Sequence, residues 1–345
     1  MNSKVKKLKI LFVGDMWYGS NARSLRDGFE QLGHDVLSVD TTPLTKPIRL
    51  SPAWVYKVIN DGERLPTELR KIQESIAASV SQNRPDLLIV FKGIYINQAF
   101  LLSLPVKIKI HYSADDVSNP ENLTADYLTH ESEWDAVVTT KSFNVPELNS
   151  RGVRKPVFVW SAFDPALHFR YEVSPKRKFE IGFVGNRRPD RNSLILEVAT
   201  QFQSKFYLAG PGWWRDTPAL VKQANTFPRF GKYGHSFSKS ISQIEVNIVL
   251  LNSENRDMHT CRSFEVPSAG GLVLAQKTLE HEHLFRDMIS AALFESTEEL
   301  MDKARYLIRH PQEADRIREL GYRSIINGGH TYRDRASQIV RELEC

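Results

Sequence analysis

The run Leu8-Lys9-Ile10-Leu11-Phe12-Val13 reaches Gly14 with hardly a polar position in it. A strand that alternates apolar and polar residues buries one face. A continuous apolar run instead reads as a strand covered on both faces, the kind found in parallel sheets. Gly19-Ser20-Asn21 then punctuates the chain, and Ala22, Leu25 and Phe29 recur at helical spacing until Gly33. Asp35 to Val39 reads as the next strand. Strand, turn, helix, glycine and strand in that order make a βαβ unit with a right-handed crossover. The alternation continues with a helix from Pro66, striped by Leu69, Ile72, Ile76 and Val80. Further strands are expected at Leu87–Phe91, Val106–His111, Ala136–Thr140 and Val157–Trp160. The proline-bearing stretch Thr41 to Leu65 fits no such pattern and reads as a long loop or insertion. By Phe163-Asp164-Pro165 the series is complete.

A second series opens as the first did. Ile181-Gly182-Phe183-Val184-Gly185-Asn186 parallels Ile10-Leu11-Phe12-Val13-Gly14-Asp15, each a strand ending in glycine and a short polar residue before a helix. Strands are expected at Lys205–Leu208, Val246–Leu251, Gly271–Ala275 and Ala292–Phe294. Ser296 with Glu299 fits a capping box, and Leu300, Ala304, Leu307 and Ile308 stripe the helix behind it. Pro311 suits a first helical turn, and a last helix runs from Tyr332 to about Leu343. Two such openings point to an α/β chain of two Rossmann-like domains.

The 345 residues agree with that count, at roughly 100–200 residues per domain. With 46 Lys+Arg against 41 Asp+Glu, the net charge of +5 is too weak and interspersed to indicate a nucleic-acid partner. No apolar run approaches the ~18 residues of a membrane helix. Lys4 to Val13 has a faint signal-peptide character, but its apolar part ends at Gly14-Asp15 without a small-residue cleavage site. Two cysteines, Cys261 and Cys345, leave no disulfide framework or thiolate metal site and suit a reducing, cytoplasmic compartment.

Doubly wound sheets bind ligands at the carboxyl ends of their strands, and two such domains facing across a cleft suit a reaction that joins two substrates. The sequence holds no Gly-x-Gly-x-x-Gly, Walker A, His-Glu-x-x-His or Gly-x-Ser-x-Gly motif. It has no Asp-x-Asp to hold a metal on a sugar diphosphate, so a diphosphate here would be met by Arg, Lys and backbone N–H groups, with no cofactor or metal required. Gly185 and Asn186 lead into Arg187 and Arg191 just before a helix at Asn192–Phe202. That placement joins forked donors to a helix dipole, although a solvated basic turn has the same composition. Glu265 sits on the helix before the strand Leu272–Ala275, where a carboxylate can accept from two vicinal ribose hydroxyls or form a surface ion pair. Asp257 falls in the loop leading into that helix. Asp115 and Asp116 follow a strand and offer a general base or a turn cap. Asp15 and the loop Met16–Asn21 would face an acceptor, or cap the first helix. His281-Glu282-His283 lacks the further ligands of a metal site, and Trp213-Trp214 reads as a core plug or a stacking surface.

The stretch Arg262 to Gly271, with Leu272-Val273-Leu274 after it, resembles the group-1 glycosyltransferases of GT-B fold, and is most similar to their CgeB-like branch. In retaining members two glutamates eight apart precede a small-residue pair and a strand. Glu265 matches the second, which implies a ribose contact; Asp257, one methylene shorter, takes the place of the first, which implies a contact to the donor sugar. Arg262 three positions before Glu265, and Phe183-Val184-Gly185 with Arg191, fit the branch, which implies a diphosphate role for Arg191 and secondarily Arg187. A histidine near His111 touches the donor sugar in related enzymes; a strand-end histidine bonded to backbone fits His111 equally. Ser161 to Pro165 resembles the interdomain linker, and His330-Thr331-Tyr332 with Arg335-Ala336 the closing helix that crosses back to the first domain. In the first half the likeness is topological, apart from Asp115-Asp116.

The resemblance therefore implies an acceptor-side domain at 1–163, a nucleotide-sugar-binding domain at 164–328 and a closing helix at 329–345. The expected activity is metal-independent, retaining hexosyl transfer in which His111, Asp115, Asp116 and Asp257 serve the chemistry. A UDP-sugar or other nucleotide-sugar donor and a saccharide, lipid-linked or protein acceptor are the expected partners, and peripheral membrane contact is compatible with them. A nucleotide-sugar epimerase on the same fold, and a non-catalytic binding module, are the alternatives.

Overall fold

A computed structural model describes residues 7–171 and 177–343. Cys345 and the start of the Lys4–Val13 stretch lie outside the described residues. The chain forms two compact units, Met1–Trp160 with Tyr332–Cys345, and Ser161–Thr331.

The first unit holds six parallel strands, β1 (Lys9–Gly14), β2 (Asp35–Asp40), β3 (Leu87–Phe91), β4 (Ile108–Ser113), β5 (Ala136–Thr139) and β6 (Pro156–Phe158), in the order β2-β1-β3-β4-β5-β6. The second holds β7 (Phe179–Val184), β8 (Phe206–Ala209), β9 (Ile244–Val249), β10 (Leu272–Gln276) and β11 (Ala292–Phe294), in the order β11-β10-β9-β7-β8, also parallel. Both sheets therefore wind the same way. The chain steps from its first strand to a second on one side, then reverses past the first to build the rest. That reversal falls between β1 and β3 in one unit and between β7 and β9 in the other, and such switch points open the crevices in which α/β sheets hold ligands.

The apolar runs explain the strands. Leu11, Val13, Leu88, Val90 and Val137 pack with Trp134 and Ile76 in one unit; Ile181, Phe183, Val246, Ile248, Leu272 and Leu274 pack with Ile195 and Val198 in the other. On the opposite face of β1, Phe12 meets Phe29 and Phe91. Two strands sit two residues from their expected positions. β4 continues to Ser113 because Tyr112 pairs with Phe91 and Ser113 with Thr139. β9 begins at Ile244, opposite Phe179.

The stretch 41–65 is not the expected long loop. It forms short helices at Thr42–Thr45 and Pro52–Ile59, with Pro43 and Pro52 in first turns, where the absent N–H costs nothing. Ser51 Oγ caps the second by accepting from Trp54 N at 3.2 Å.

The boundary expected after Phe163 falls instead after Trp160. Phe163 N donates to His330 O at 3.1 Å and the two chain segments bridge at Phe163 and Thr331, which ties 161–163 and 329–331 into the second unit. The last helix, Tyr332–Glu342, returns to the first unit and packs on the helix Asn21–Gln31. Gly28 sets how close they come, since a β-carbon there would fall 2.6 Å from the Tyr332 carbonyl oxygen. Gly28→Ala should therefore cost about 1–3 kcal/mol despite alanine's better helix propensity. Thermal unfolding reads this as a midpoint lowered by several degrees; an unchanged midpoint would contradict the close approach. No helix among the described residues is long and apolar enough to cross a membrane.

Candidate functional site

In the second unit, the turn after β7 is braced from beneath. Gly185 N donates to Ala209 O at 3.0 Å, Arg187 N to Pro211 O at 3.0 Å, and Trp213 Nε1 to Gly185 O at 2.9 Å. Gly210, at φ +154°, passes so near Gly185 that a β-carbon would sit 1.8 Å from its carbonyl oxygen. Trp213 is thus the core plug, while Trp214 is exposed.

The basic residues on this turn have different fates. Arg187 is clamped by Asp216, Nε to Oδ2 at 2.5 Å and Nη2 to Oδ1 at 3.2 Å. Arg188 pairs with Glu254 at 2.7 Å. Arg191 instead reaches into the switch point, where its Nη1 donates to Asn186 O at 3.4 Å and its Nη2 to Leu250 O at 3.3 Å, joining the chain just past β7 to the chain just past β9. Its guanidinium lies 5.8 Å from the Phe183 ring, and its buried Nε has no partner among the described residues. Burial pulls its pKa below the ordinary arginine value, opposed first by Asp190. The guanidinium stays a cation. The helix Asn192–Phe202 starts next to it, with no side chain capping its first N–H groups. A cation with an unused donor beside a helix N-terminus that no side chain caps is what an anion needs.

Glu265 faces the same strand end from the helix Arg262–Ser268. It is 3% exposed. Arg262 forms a close ion pair with its Oε2 and donates from Nε to Val184 O, at the end of β7, at 3.1 Å. On the other side His168 Nε2 lies 3.6 Å from Oε1. Asp164 N donates to His168 Nδ1 at 3.1 Å, which leaves the ring proton on Nε2, turned to Glu265. Burial, with Arg262 nearby, lowers the His168 pKa to about 3, so the ring is neutral. Each carboxylate oxygen has two lone pairs, so Glu265 keeps acceptor capacity for hydroxyl donors. Asp257 lies in the loop before this helix, as its spacing suggests, and there its Oδ2 accepts from Asn252 N at 3.2 Å.

Ser161, His259 and Glu280 align as a nucleophile, base and acid would. Their burial and backbone bonding give them a structural role. The Ser161 backbone N–H donates to His259 Nε2 at 3.0 Å and shares that lone pair with the Ser161 hydroxyl, 3.1 Å away, while Nδ1 faces Glu280. All three are buried, and the cluster pins the start of the second unit.

In the first unit a cavity of about 220 Å³ sits at the carboxyl edge of the sheet. Its lining includes Lys92, Tyr95, His111, Asp115 and Arg64. Lys92, in the left-handed turn after β3 at φ +63°, forms a close ion pair with Asp115, and Arg64 stacks 3.9 Å over Tyr95. His111 departs from its expected place at the strand's end. It lies inside β4, 1% exposed, against Tyr127 and Trp134. Its Nε2 donates to Lys92 O at 2.6 Å, while the buried Nδ1 has no partner among the described residues. Burial lowers its pKa to about 4. Asp116 is turned away from the cavity lining. Its Oδ1 accepts from Ser118 N at 2.9 Å and Asn144 Nδ2 at 2.8 Å, the turn-capping role. Ser20, likewise, caps the first helix by accepting from Ala22 N at 3.1 Å.

Sequence reading missed Lys92, Asp216 and His168. Each acts through a partner far along the chain, and only the Asp164-Pro165-x-x-His168 run beside the linker carries a local signal. His281, set aside as a ligand, is consumed structurally: it bonds Gln276 O at 2.6 Å and Ser263 Oγ at 2.8 Å.

Residues 187–341 match a family described as glycosyl transferase-like. No curated protein matches the sequence. Solved structures share the fold at low identity. Sucrose-phosphate synthase from Thermosynechococcus elongatus superposes with a TM-score of 0.69 at 12% identity, over 98% of this chain and 99% of that one. HepE from Anabaena, solved with UDP-glucose, gives 0.62 at 13%, over 98% and 99%. A UDP-forming α,α-trehalose-phosphate synthase from Burkholderia xenovorans gives 0.64 at 11%, over 98% and 99%. The two parallel-sheet α/β units are those of the GT-B fold.

Proposed function

We propose that the chain is a glycosyltransferase that moves a hexosyl group from a nucleoside-diphosphate sugar, such as a UDP-sugar, to an acceptor hydroxyl. The observation carrying this reading is Arg191, which spans the ends of β7 and β9 beside an uncapped helix N-terminus. Cleaving the donor leaves negative charge on the diphosphate, and preorganised donors aimed at developing charge are commonly the largest catalytic term. Arg191 and the helical amides would supply them without a metal. Glu265, oriented by Arg262 and His168, would accept from the ribose hydroxyls, with Asp257 near the donor sugar. The first unit's cavity would take the acceptor, with Asp115, held by Lys92, and His111 in its polar lining. Retention of anomeric configuration, supported by the eight-residue spacing of Asp257 and Glu265, a place in the CgeB-like branch, supported by the Arg262–Glu265 spacing and the Phe183-Val184-Gly185 opening, and a cytoplasmic site of action, in keeping with only two cysteines, belong to the same reading.

A panel of nucleotide sugars, incubated with and without candidate acceptors in the presence of a chelator, tests it. The expected result is free nucleoside diphosphate that rises only with acceptor and survives chelation. Isomerised donor would assign the site to epimerisation instead, and ligand-induced thermal stabilisation with no turnover on any acceptor would assign it to binding alone.

A further inference from the structure

The helix Pro52–Ile59 carries five large aliphatic or aromatic side chains, Trp54, Val55, Tyr56, Val58 and Ile59, yet buries none of its residues. Around it lie Ile48 at 82% exposure, Leu50 at 74%, Val58 at 60% and Ile59 at 74%, with Val55 also exposed. No other stretch of comparable length among the described residues gathers so many exposed large apolar side chains. The charges here have one sign. Lys46, Arg49 and Lys57 fall between Asp40 and Asp61 with no acid among them. Arg64 adds a fourth cation, close enough to Lys57 to depress its pKa further after burial has done so.

We propose that residues 48–59 are a docking surface for an anionic lipid bilayer. Aliphatic side chains flanked by cations match the chemistry of a headgroup boundary, where the apolar groups enter the acyl edge and the cations meet lipid phosphates. Trp54 and Tyr56, half-buried on the same helix, are residue types favoured at that depth. A second copy of the chain is the poorer occupant. A two-fold interface sets a patch against itself, so Lys46, Arg49 and Lys57 would face their own like charges with no acid to answer them. The patch is also continuous with the first unit's cavity. Thr41, Leu44, Thr45 and Arg64 line that cavity from either side of the segment, and Lys57 Nζ donates to Thr45 O at 3.1 Å. The acceptor this placement favours is a lipid-carried saccharide, a corollary that rests on the transferase reading; bilayer docking does not.

Sedimentation of the full chain with vesicles tests the docking. Phosphatidylglycerol–phosphatidylcholine vesicles should bring the protein down, and phosphatidylcholine alone should not. Raising salt to about 0.5 M should release most of it, since screening shortens the reach of surface charge. Arg49→Glu should lower the partition coefficient about tenfold, and Ile48→Glu with Ile59→Glu at least as much. Because these positions are exposed, the variants should keep the parent's thermal midpoint and its affinity for nucleoside diphosphate. Equal binding to both vesicle types, binding to neither, or a dimer in light scattering that Ile59→Glu dissociates would each overturn the proposal. Loss of vesicle binding with nucleotide binding intact would leave the transferase reading standing; vesicle binding without any nucleotide affinity would remove that reading and leave the docking.

Discussion

Arg191→Ala should weaken binding of a nucleoside diphosphate by about 10²–10³-fold. A hydrogen bond to a charged group contributes roughly 1.5–3 kcal/mol, and a fork meeting two phosphate oxygens makes two of them. Arg191 sits where those bonds are worth most, partly buried over Phe183, with backbone carbonyls holding its Nη atoms and its Nε unspent. Lysine at this position keeps the charge and loses the fork, so Arg191→Lys should fall between parent and alanine. Arg187 provides the contrast. Its guanidinium is committed to Asp216, and Arg187→Ala should cost less than about tenfold. Calorimetric titration with UDP, alongside the unliganded thermal midpoint of each variant, separates lost binding from lost folding. Should Arg187→Ala prove the more damaging of the two, the phosphate site is misplaced.

Acidification should destabilise the protein steeply between pH 6.5 and 4. His111 and His281, at about 4, and His168, at about 3, are all depressed chiefly by burial. An unfolded chain binds a proton at each near pH 6.5, while the folded rings stay neutral until far lower. Stability from these groups is therefore complete above pH 6.5 and is lost as pH falls toward their folded values. By linkage each removes on the order of 2 kcal/mol by pH 5. Two of the three lie in the second unit, so that unit should yield first. Urea unfolding at pH 7.5 and pH 5 checks this, with the Trp134 and Trp213 environments reporting one unit each; a midpoint that does not move would mean the rings are not buried in neutral form.

The fold was legible because strands buried on both faces need continuous apolar runs, which β1, β3, β8 and β10 carry. What shifted was position along the ladder. β4 and β9 are displaced by two residues because hydrogen-bonded neighbours decide where a strand ends, and His111 is carried from the sheet edge into its interior as a result. The stretch 41–65 was opaque for a different reason: a helix with no buried residue leaves no stripe to read. At the site, Arg191 was visible as a cation between a strand-ending glycine and a helix. The capture of Arg187 by Asp216 and the facing of His168 toward Glu265 were not, because pairing between distant segments leaves no spacing in the chain.

The return of Tyr332–Glu342 to the first unit has a consequence for biosynthesis. The helix that seals against Gly28 is translated only after the whole of Ser161–Thr331, so the unit begun first must wait for its own closing piece until the other unit has been made. A protease cut between Thr331 and Tyr332 would accordingly injure the first unit while leaving Ser161–Thr331 able to fold.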